Sequence, residues 1–257
     1  MNPSRNGSSP STSVTGWLAM ALAGVLSTYI AARSWVQVRL HRDRHIEVTG
    51  SAKRRIVSDF INWQATVTTE NLDRTAAYKQ LREHVEQTLT YLKKQGIEPG
   101  ELRVQSVETE EIVETEYLGK GDDRIERKVK KGFRTTQTVE ISSKDVAKVE
   151  RVSREVTQIM ESGVRISSAQ PSYYYTGLGA LKIEMLAEAA KDCRQRAERM
   201  LISTGGATLG KLRRADMGVI NVNPANSTEV SNEGNNDTTS LDKDILTVVH
   251  CSFDLEQ

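Results

Sequence analysis

Two rhythms of apolar residues run through the chain. From residue 45 the first is alternation: "HIEVTGSAKRRIV" sets Ile46 and Val48 on one face before Gly50 interrupts, as at a bulge or a tight approach. "FINWQATVTTE" continues it, with Phe60, Asn62, Gln64 and Thr66 opposite Ile61, Trp63, Ala65 and Val67. Two strands joined near Ser58-Asp59 are expected. The second rhythm is helical. Asn71 or Asp73 can cap a helix whose stripe is Leu81, Val85, Leu89 and Leu92 and which Gly96 stops. "GIEPGELRVQSVETEEIVETEY" then reads as a turn and a long strand, "GKGDDRIERKVKK" as a charged hairpin tip, and "GFRTTQTVEIS" as the returning strand. Ser143 or Asp145 opens a second helix with Val146, Val149, Val152, Val156 and Ile159 inward, ending at Gly163. "VRISSAQPSYYY" is a strand, residues 178–204 a third helix, and "ATLGKLRRADMGVINV" and "DILTVVHCSFDL" the last strands. Between those two, residues 223–243 are polar and of low complexity, which predicts a mobile surface loop.

The order ββαββαβαββ predicts an α+β fold with mostly antiparallel sheets and three main helices, not a doubly wound parallel sheet. A strand pair followed by a helix occurs twice. That suggests two lobes within residues 45–257, with a boundary near residue 143.

Ahead of this domain the pattern changes. Residues 1–15 are rich in Ser, Gly, Asn and Pro and read as a disordered tail. Residues 16–38 hold "GWLAMALAGVLSTYIAARSWVQV", with no charge from Trp17 to Ala32. The run has the length of one transmembrane helix if Arg33 reaches back to the headgroups, with Trp17 and Trp35 at its two ends. A cleaved signal peptide fits less well, since only Arg5 precedes the run and no A-x-A site closes it. Residues 39–44 form a basic juxtamembrane linker. By the positive-inside rule, Arg33, Arg39, Arg42 and Arg44 would hold the domain in the cytoplasm.

Composition removes several function classes. Charged residues nearly cancel, to a net charge of +1, so the basic surplus of a general nucleic-acid binder is missing. Cys193 and Cys251 belong to no CxxC or Cys/His cluster, and each falls on an apolar face. Cys193 shares its face with Leu186, Ala189, Ala190, Ala197 and Met200. The spacing of His41, Asp43 and His45 in "HRDRH" could hold a metal, but Arg42 and Arg44 oppose a cation there. No G-x-S-x-G, H-E-x-x-H or Cys/His nucleophile pair occurs. The acids of "ETEEIVETE" read as a solvated strand face. "SYYYTGLGALKIEM" resembles a phosphate loop, yet it lacks the G-K-[ST] ending and the third glycine of the dinucleotide fingerprint. Its glycines are therefore read as a tight turn into a helix. No catalytic residues, metal site or cofactor are nominated. Tyr173 and Tyr175 are the candidate binding residues, in a cleft between the lobes.

Several segments together resemble one family. "IEVTGSAKRRIVSDFINWQATVTTE", "LKKQGIEPGELRVQSVE", "GFRTTQTVEISSKDVAKVERV" and the Ala-rich "EMLAEAAKDCRQRAERM" followed by "TLGKL" are similar, in order and spacing, to SIMPL-domain proteins of the YggE-like group. Ser51 and Ser58 depart from that pattern, standing where a glycine and a proline are usual. The resemblance implies a bacterial protein anchored in the inner membrane with its domain in the periplasm, against the charge count. It further implies self-assembly into a ring-like homo-oligomer and a role linked to envelope or oxidative stress; with no catalytic constellation in the residues, that role is expected to be non-enzymatic. The alternative expectation is a periplasmic module binding a small envelope ligand.

Overall fold

A computed structural model describes residues 14–42, 44–118, 125–205 and 207–256. Helix α1 (Val14–Arg42) leads into β1 (His45–Val57), β2 (Phe60–Asn71) and α2 (Arg74–Lys94). Strands β3 (Leu102–Val104), β4 (Glu108–Leu118) and β5 (Ile125–Ser143) follow, then α3 (Val146–Glu155), β6 (Ile166–Ser168) and β7 (Ser172–Tyr174). Helix α4 (Leu178–Thr204) precedes β8 (Thr208–Pro224), β9 (Asn235–Asn236) and β10 (Asp242–Glu256). This is the expected α+β order, with two strands divided and the short β9 added within the expected 223–243 loop.

Both divisions have a local cause. Between Val104↔Val139 and Glu108↔Thr136 the β3–β4 run advances four residues while β5 advances three, so one extra residue breaks the ladder. Between Ser168↔Ala65 and Ser172↔Asn62 the same mismatch recurs, at a point where Pro171 has no N–H to give. The second helix also changes character. It tightens after Glu155 into a 3-10 stretch, Val156–Ser162.

The six-stranded sheet runs β3-β5-β2-β6, with β4 pairing β5 and β7 pairing β2, and those pairings are antiparallel. Alternation in β2 sends Ile61, Trp63, Ala65 and Val67 into one core. They meet Leu81, Val85 and Leu92 of α2, Val139 and Ile141 of β5, and Val149, Val152, Val156 and Ile159 beyond it. Leu89 is only partly buried, and Ala77 and Thr88 complete the α2 stripe. Trp63 satisfies its indole N–H on Ser168 Oγ at 2.9 Å, which lets a ring with a polar atom sit in this core.

Asp73 is the N-cap of α2, its carboxylate accepting from Ala76 N–H at 2.7 Å, while Asn71 accepts from Asp73 N–H. Asp145 does the same for α3 through Lys148 N–H, and Ser143 Oγ accepts from Asp145 N–H. Asp73→Ala is expected to lower stability by about 1 kcal/mol, the usual worth of such a cap. Urea unfolding of the solubilised chain checks this, and an unchanged midpoint would deny the cap its role.

The other sheet has four strands in the order β1-β10-β8-β9, with β9 parallel to β8. Contacts group the chain into two compact units. One comprises Met1–Val48, Arg194–Ala215 and Cys251–Gln257; the other comprises Thr49–Cys193 and Asp216–His250. The first contains α1 and the ends of α4, β8 and β10, held by Leu255 N–H donating to the Arg44 carbonyl at 3.1 Å. The second contains the six-stranded sheet.

Residues 223–243 carry β9 and a web of polar ties. Asn221 exchanges two 3.1 Å bonds with the backbone of Ser231, and Asn235 donates to Asn223 Oδ1 at 2.8 Å. Backbone bonds dock this segment to its own unit, from Tyr173 N–H to Thr238 and from Ser58 N–H to Leu241.

Helix α1 contains the expected span, and its side chains are described at residue 17 and residues 20–36. Trp17 and Trp35 are both exposed. Among the described residues, no helix is long and apolar enough to cross a membrane. Residues 1–13 of the expected tail, residues 119–124 of the hairpin tip, and Asp43 of "HRDRH" lie outside the described residues.

Candidate functional site

The site grows from the last eight residues of β1. Gly50, Ala52 and Ile56 are buried on one face, with Arg54 half-buried among them; Lys53 and Arg55 occupy the other. The first face meets α4, whose buried stripe is Leu181, Met185, Ala189, Cys193 and Ala197, four residues apart throughout. Met200, expected on that stripe, is exposed, and Leu186 is only half-buried. The contact is close: a Cβ on Gly50 would lie 2.3 Å from the Ala189 carbonyl oxygen. Asp192 adds a carboxylate that accepts from Ser51 N–H at 2.8 Å. Cys193 Sγ–H donates to the Val249 carbonyl at 3.3 Å, and Cys193 and Cys251 are both buried.

Where β1 leaves this contact, a pocket of about 370 Å³ opens, lined by Arg54, Val57, Tyr175, Gly177, Leu181 and Glu184 among others. Arg54 donates to Glu184 at 2.7 Å and to Glu188, and the Glu184 bond is the main reason its guanidinium is held more firmly protonated than usual. Between the pocket residues Tyr175 and Gly177, Thr176 donates to Asp59 from its N–H at 2.7 Å and from its Oγ at 2.6 Å. Burial would raise the Asp59 pKa; the two Thr176 bonds, with its own backbone N–H and the Lys144 charge, together outweigh it, and the carboxyl sits below its ordinary range.

The opposite face of β1 holds an ionic clamp. The Asp244 side chain is only 4% exposed and accepts from Arg55 Nε at 2.9 Å and Nη2 at 3.0 Å. Lys53 Nζ stands 3.0 Å away, and Asn226 N–H donates at 2.9 Å. The bidentate Arg55 bond leads these interactions in holding the Asp244 carboxyl far below the usual carboxylate range. Its neighbour Lys243 is buried as well and donates to the Asp237 carbonyl, with the Asp237 carboxylate 3.4 Å from Nζ. Burial pushes the Lys243 pKa down and Asp237 partly restores it.

The two candidate tyrosines are separated by this geometry. Tyr173 is buried in the core of the six-stranded sheet, where burial raises its pKa. Tyr175 is half-buried and lines the pocket. Their alternation breaks because β7 ends at Tyr174, whose exposed ring instead meets Phe60 edge-on at 6.5 Å. The expected turn into the helix falls at Thr176 and Gly177. Neither Gly177 nor Gly179 has a positive φ. Helix α4 begins at Leu178, so Gly179 lies in its first turn with open space around it, and Gly177 packs against the Tyr175 ring. Thr176 and Asp59, not left-handed glycines, hold the entry to α4.

Chemically the arrangement is neutralised. The carboxyls of Asp59, Glu70, Glu101, Asp237 and Asp244 are all lowered, each by hydrogen bonds or cations. A carboxylate held low is a weak base, the reverse of the tuning that general acid–base catalysis uses. Among the described residues no group of three or more His, Cys, Asp or Glu side chains is placed to hold a metal. A larger pocket of about 660 Å³, lined by Glu83, Gln87, Tyr91, Ile159 and Ser162 among others, contains none of the expected site residues. Asp59 and Asp244 were not among the expected site residues either. The available signal was an acid beside each strand end, in "VSDF" and "DKDIL", with three consecutive cations in "AKRRI".

A family model described as "SIMPL: Protein of unknown function (DUF541)" matches residues 46–245. The chain belongs to the SIMPL family. The matched span runs from the start of β1 into β10 and so takes in Gly50, Arg54, Arg55, Asp59, Tyr175 and Asp244. Helix α1 lies outside it. None of the curated proteins matches the chain. Within the SIMPL domain, Ser58 donates its backbone N–H to the Leu241 carbonyl at 2.9 Å, a bond that a proline there could not make.

Proposed function

We propose that this SIMPL protein is held in the bacterial inner membrane by α1, faces the periplasm, and assembles with itself into a ring-like homo-oligomer. Its role is non-enzymatic and belongs to envelope or oxidative stress, as the family resemblance implies. The reading rests on the uncharged run from Trp17 to Ala32, counted on past Arg33 to Val38, since α1 by itself is not apolar enough to cross a membrane, and on strand edges that lack a neighbour among the described residues. Leu22, Val25, Leu26, Tyr29 and Ile30 are exposed on α1, and the opposite side carries Met20, Ser27 and Ala31, with Arg33 the one charged residue among residues 20–36. Residues 16–38 as a helix extend roughly 34 Å, against a hydrocarbon core of about 30 Å. Trp17 and Trp35 stand roughly 27 Å apart along it, at the spacing of two aromatic belts.

Two measurements test this. The full chain should remain with membranes through an alkaline carbonate wash and be released when residues 1–38 are deleted; a full chain that washes off would overturn the anchor. The detergent-solubilised chain should have a mass several times that of one 28.6 kDa chain. A strictly monomeric species would overturn assembly. A C-terminal reporter active only in the cytoplasm would reverse the orientation.

A second reading, a small envelope ligand bound at Tyr175, is favoured by the 370 Å³ pocket that its ring lines. A small-molecule mass retained by the native protein and lost in Tyr175→Ala supports it.

A further inference from the structure

The outer half of the β4–β5 hairpin stands apart from the sheet that carries it. Strand β2 ends its pairing with β5 at Asn71↔Phe133, while β4 continues beside β5 to Leu118↔Ile125. The departure point is built. The β4–β5 register slips between Ile112 and Val113, leaving Lys131 as the extra residue beside Gly132. Gly132 has φ +144°, and a Cβ there would lie 2.7 Å from the Asn71 carbonyl oxygen. Beyond this bulge the hairpin is a two-stranded arm. Its β4 edge and its β5 edge both lack a strand neighbour among the described residues.

Such an arm is marginal by itself, and two bare edges invite a further strand. Usually charges blunt an edge, and here they are sorted by strand. Between residues 108 and 117, β4 carries five glutamates and no basic residue. From residue 126 to 131, β5 carries Arg127, Lys128, Lys130 and Lys131 against one acid, Glu126. Within the arm, Lys131 pairs Glu114 and Glu116 at 3.3 and 3.0 Å. Val113 and Tyr117 share one face, each about half exposed at 48% and 50%.

We infer that the arm joins a second copy of this chain head to tail, the glutamate-rich β4 edge of one copy beside the lysine- and arginine-rich β5 edge of the next. The sorting of charge decides the polarity. A symmetric β4–β4 contact sets glutamates beside glutamates, and a β5–β5 contact sets cations beside cations, both unfavourable across strands. The head-to-tail contact sets opposite charges together and covers Val113 and Tyr117. A heterologous contact of this kind repeats, closing into a ring or extending as a filament. The inference rests on the self-assembly reading above and names the surface that performs it.

Single cysteines at the register pair Thr115 and Lys128 provide the test, because both are exposed and the two native cysteines are buried. Thr115→Cys and Lys128→Cys chains are prepared separately at full length in detergent, then oxidised alone or mixed, so that a disulfide joins cysteines on adjacent strands but not on strands two apart, which stand about 9.6 Å from each other. Glu126→Cys and Lys130→Cys, each mixed with Thr115→Cys in the same way, cover a slip of two residues in either direction along β5. Cross-linked pairs are expected in the mixture in roughly tenfold excess over either variant alone, the ratio that about 1.4 kcal/mol of like-charge penalty produces. Cross-links within a single variant would mean symmetric pairing and overturn the inference. So would an oligomeric mass with no cross-link, which leaves self-assembly standing on another surface. A monomeric wild-type chain would instead remove the self-assembly reading itself.

Discussion

Gly50→Ala is expected to be among the most damaging single-methyl changes in this protein, costing about 3 kcal/mol or more. The added Cβ would stand 2.3 Å from the Ala189 carbonyl oxygen, 2.5 Å from the Cys193 backbone nitrogen and 2.8 Å from Cys193 Sγ. Two of those atoms are helix backbone, so no rotamer change relieves the clash and α4 itself must move off β1. The φ of Gly50 is not positive, so the cost is steric and not conformational. Gly100→Ala is the control, because nothing lies within 4 Å of its Cβ position and its φ is also not positive. That variant should unfold within about 0.5 kcal/mol of wild type. Urea midpoints measure both. Thiol labelling under native conditions gives a second readout, since lifting α4 uncovers the buried Cys193 and should speed its modification in Gly50→Ala. Equal midpoints and equal labelling rates in the two alanine variants would show that the β1–α4 contact is not close.

The same glycine shows how far the chain could be read without coordinates. Its interruption of an alternating strand already pointed to a tight approach, because a strand interior gives up packing area and entropy to hold a glycine. The element order was legible for the same reason. Apolar periods of two and about 3.6 persist over whole segments, as in Ile61–Val67 and Leu81–Leu92. Caps at Asp73 and Asp145 are read locally because an N-cap needs one side chain and a neighbouring N–H. What stayed hidden depends on partners far away in sequence. The two strand divisions arise from one-residue mismatches against β5 and β2, which no single segment records.

The candidate site was legible only in part, for that reason. Tyr175 reached the pocket wall, but Tyr173 went to the core, because a strand that ends at Tyr174 stops alternating. The polar loop looked unstructured in composition. Asn221, Asn223 and Asn235 each use the amide to tie backbone or one another, and composition cannot distinguish such asparagines from solvated ones. The ionic clamp joins residues 53 and 55 to residue 244, a separation of about 190 positions that only the folded sheet closes.

That clamp leads to the second large effect, Asp244→Asn, which is expected to lower stability by roughly 2–3 kcal/mol at neutral pH. The carboxylate is buried and carries the charge for three groups: the Arg55 fork, Lys53 Nζ and Asn226 N–H. Removing one partner of a fully buried pair costs about 3–5 kcal/mol because a charge is left stranded. Here Lys53 and Arg55 are about half exposed, at 54% and 52%, and can turn to water. Hence the loss stays below that range and represents forfeited charge-assisted bonds. The pH dependence follows from the direction of the shift. The Asp244 carboxyl is lower in the folded chain than in the unfolded one, where it titrates near about 3.9. Its contribution is therefore fully present above that unfolded value and is lost as pH falls towards the folded one. Wild type should lose stability on acidification from about pH 5 to pH 2 faster than Asp244→Asn, so that the two curves converge. Urea midpoints at a series of pH values measure this. Curves that run parallel across that range would mean that Asp244 carries no charge-dependent stabilisation, and a variant as stable as wild type at pH 7 would remove the clamp from the account of how β1 and β10 are held.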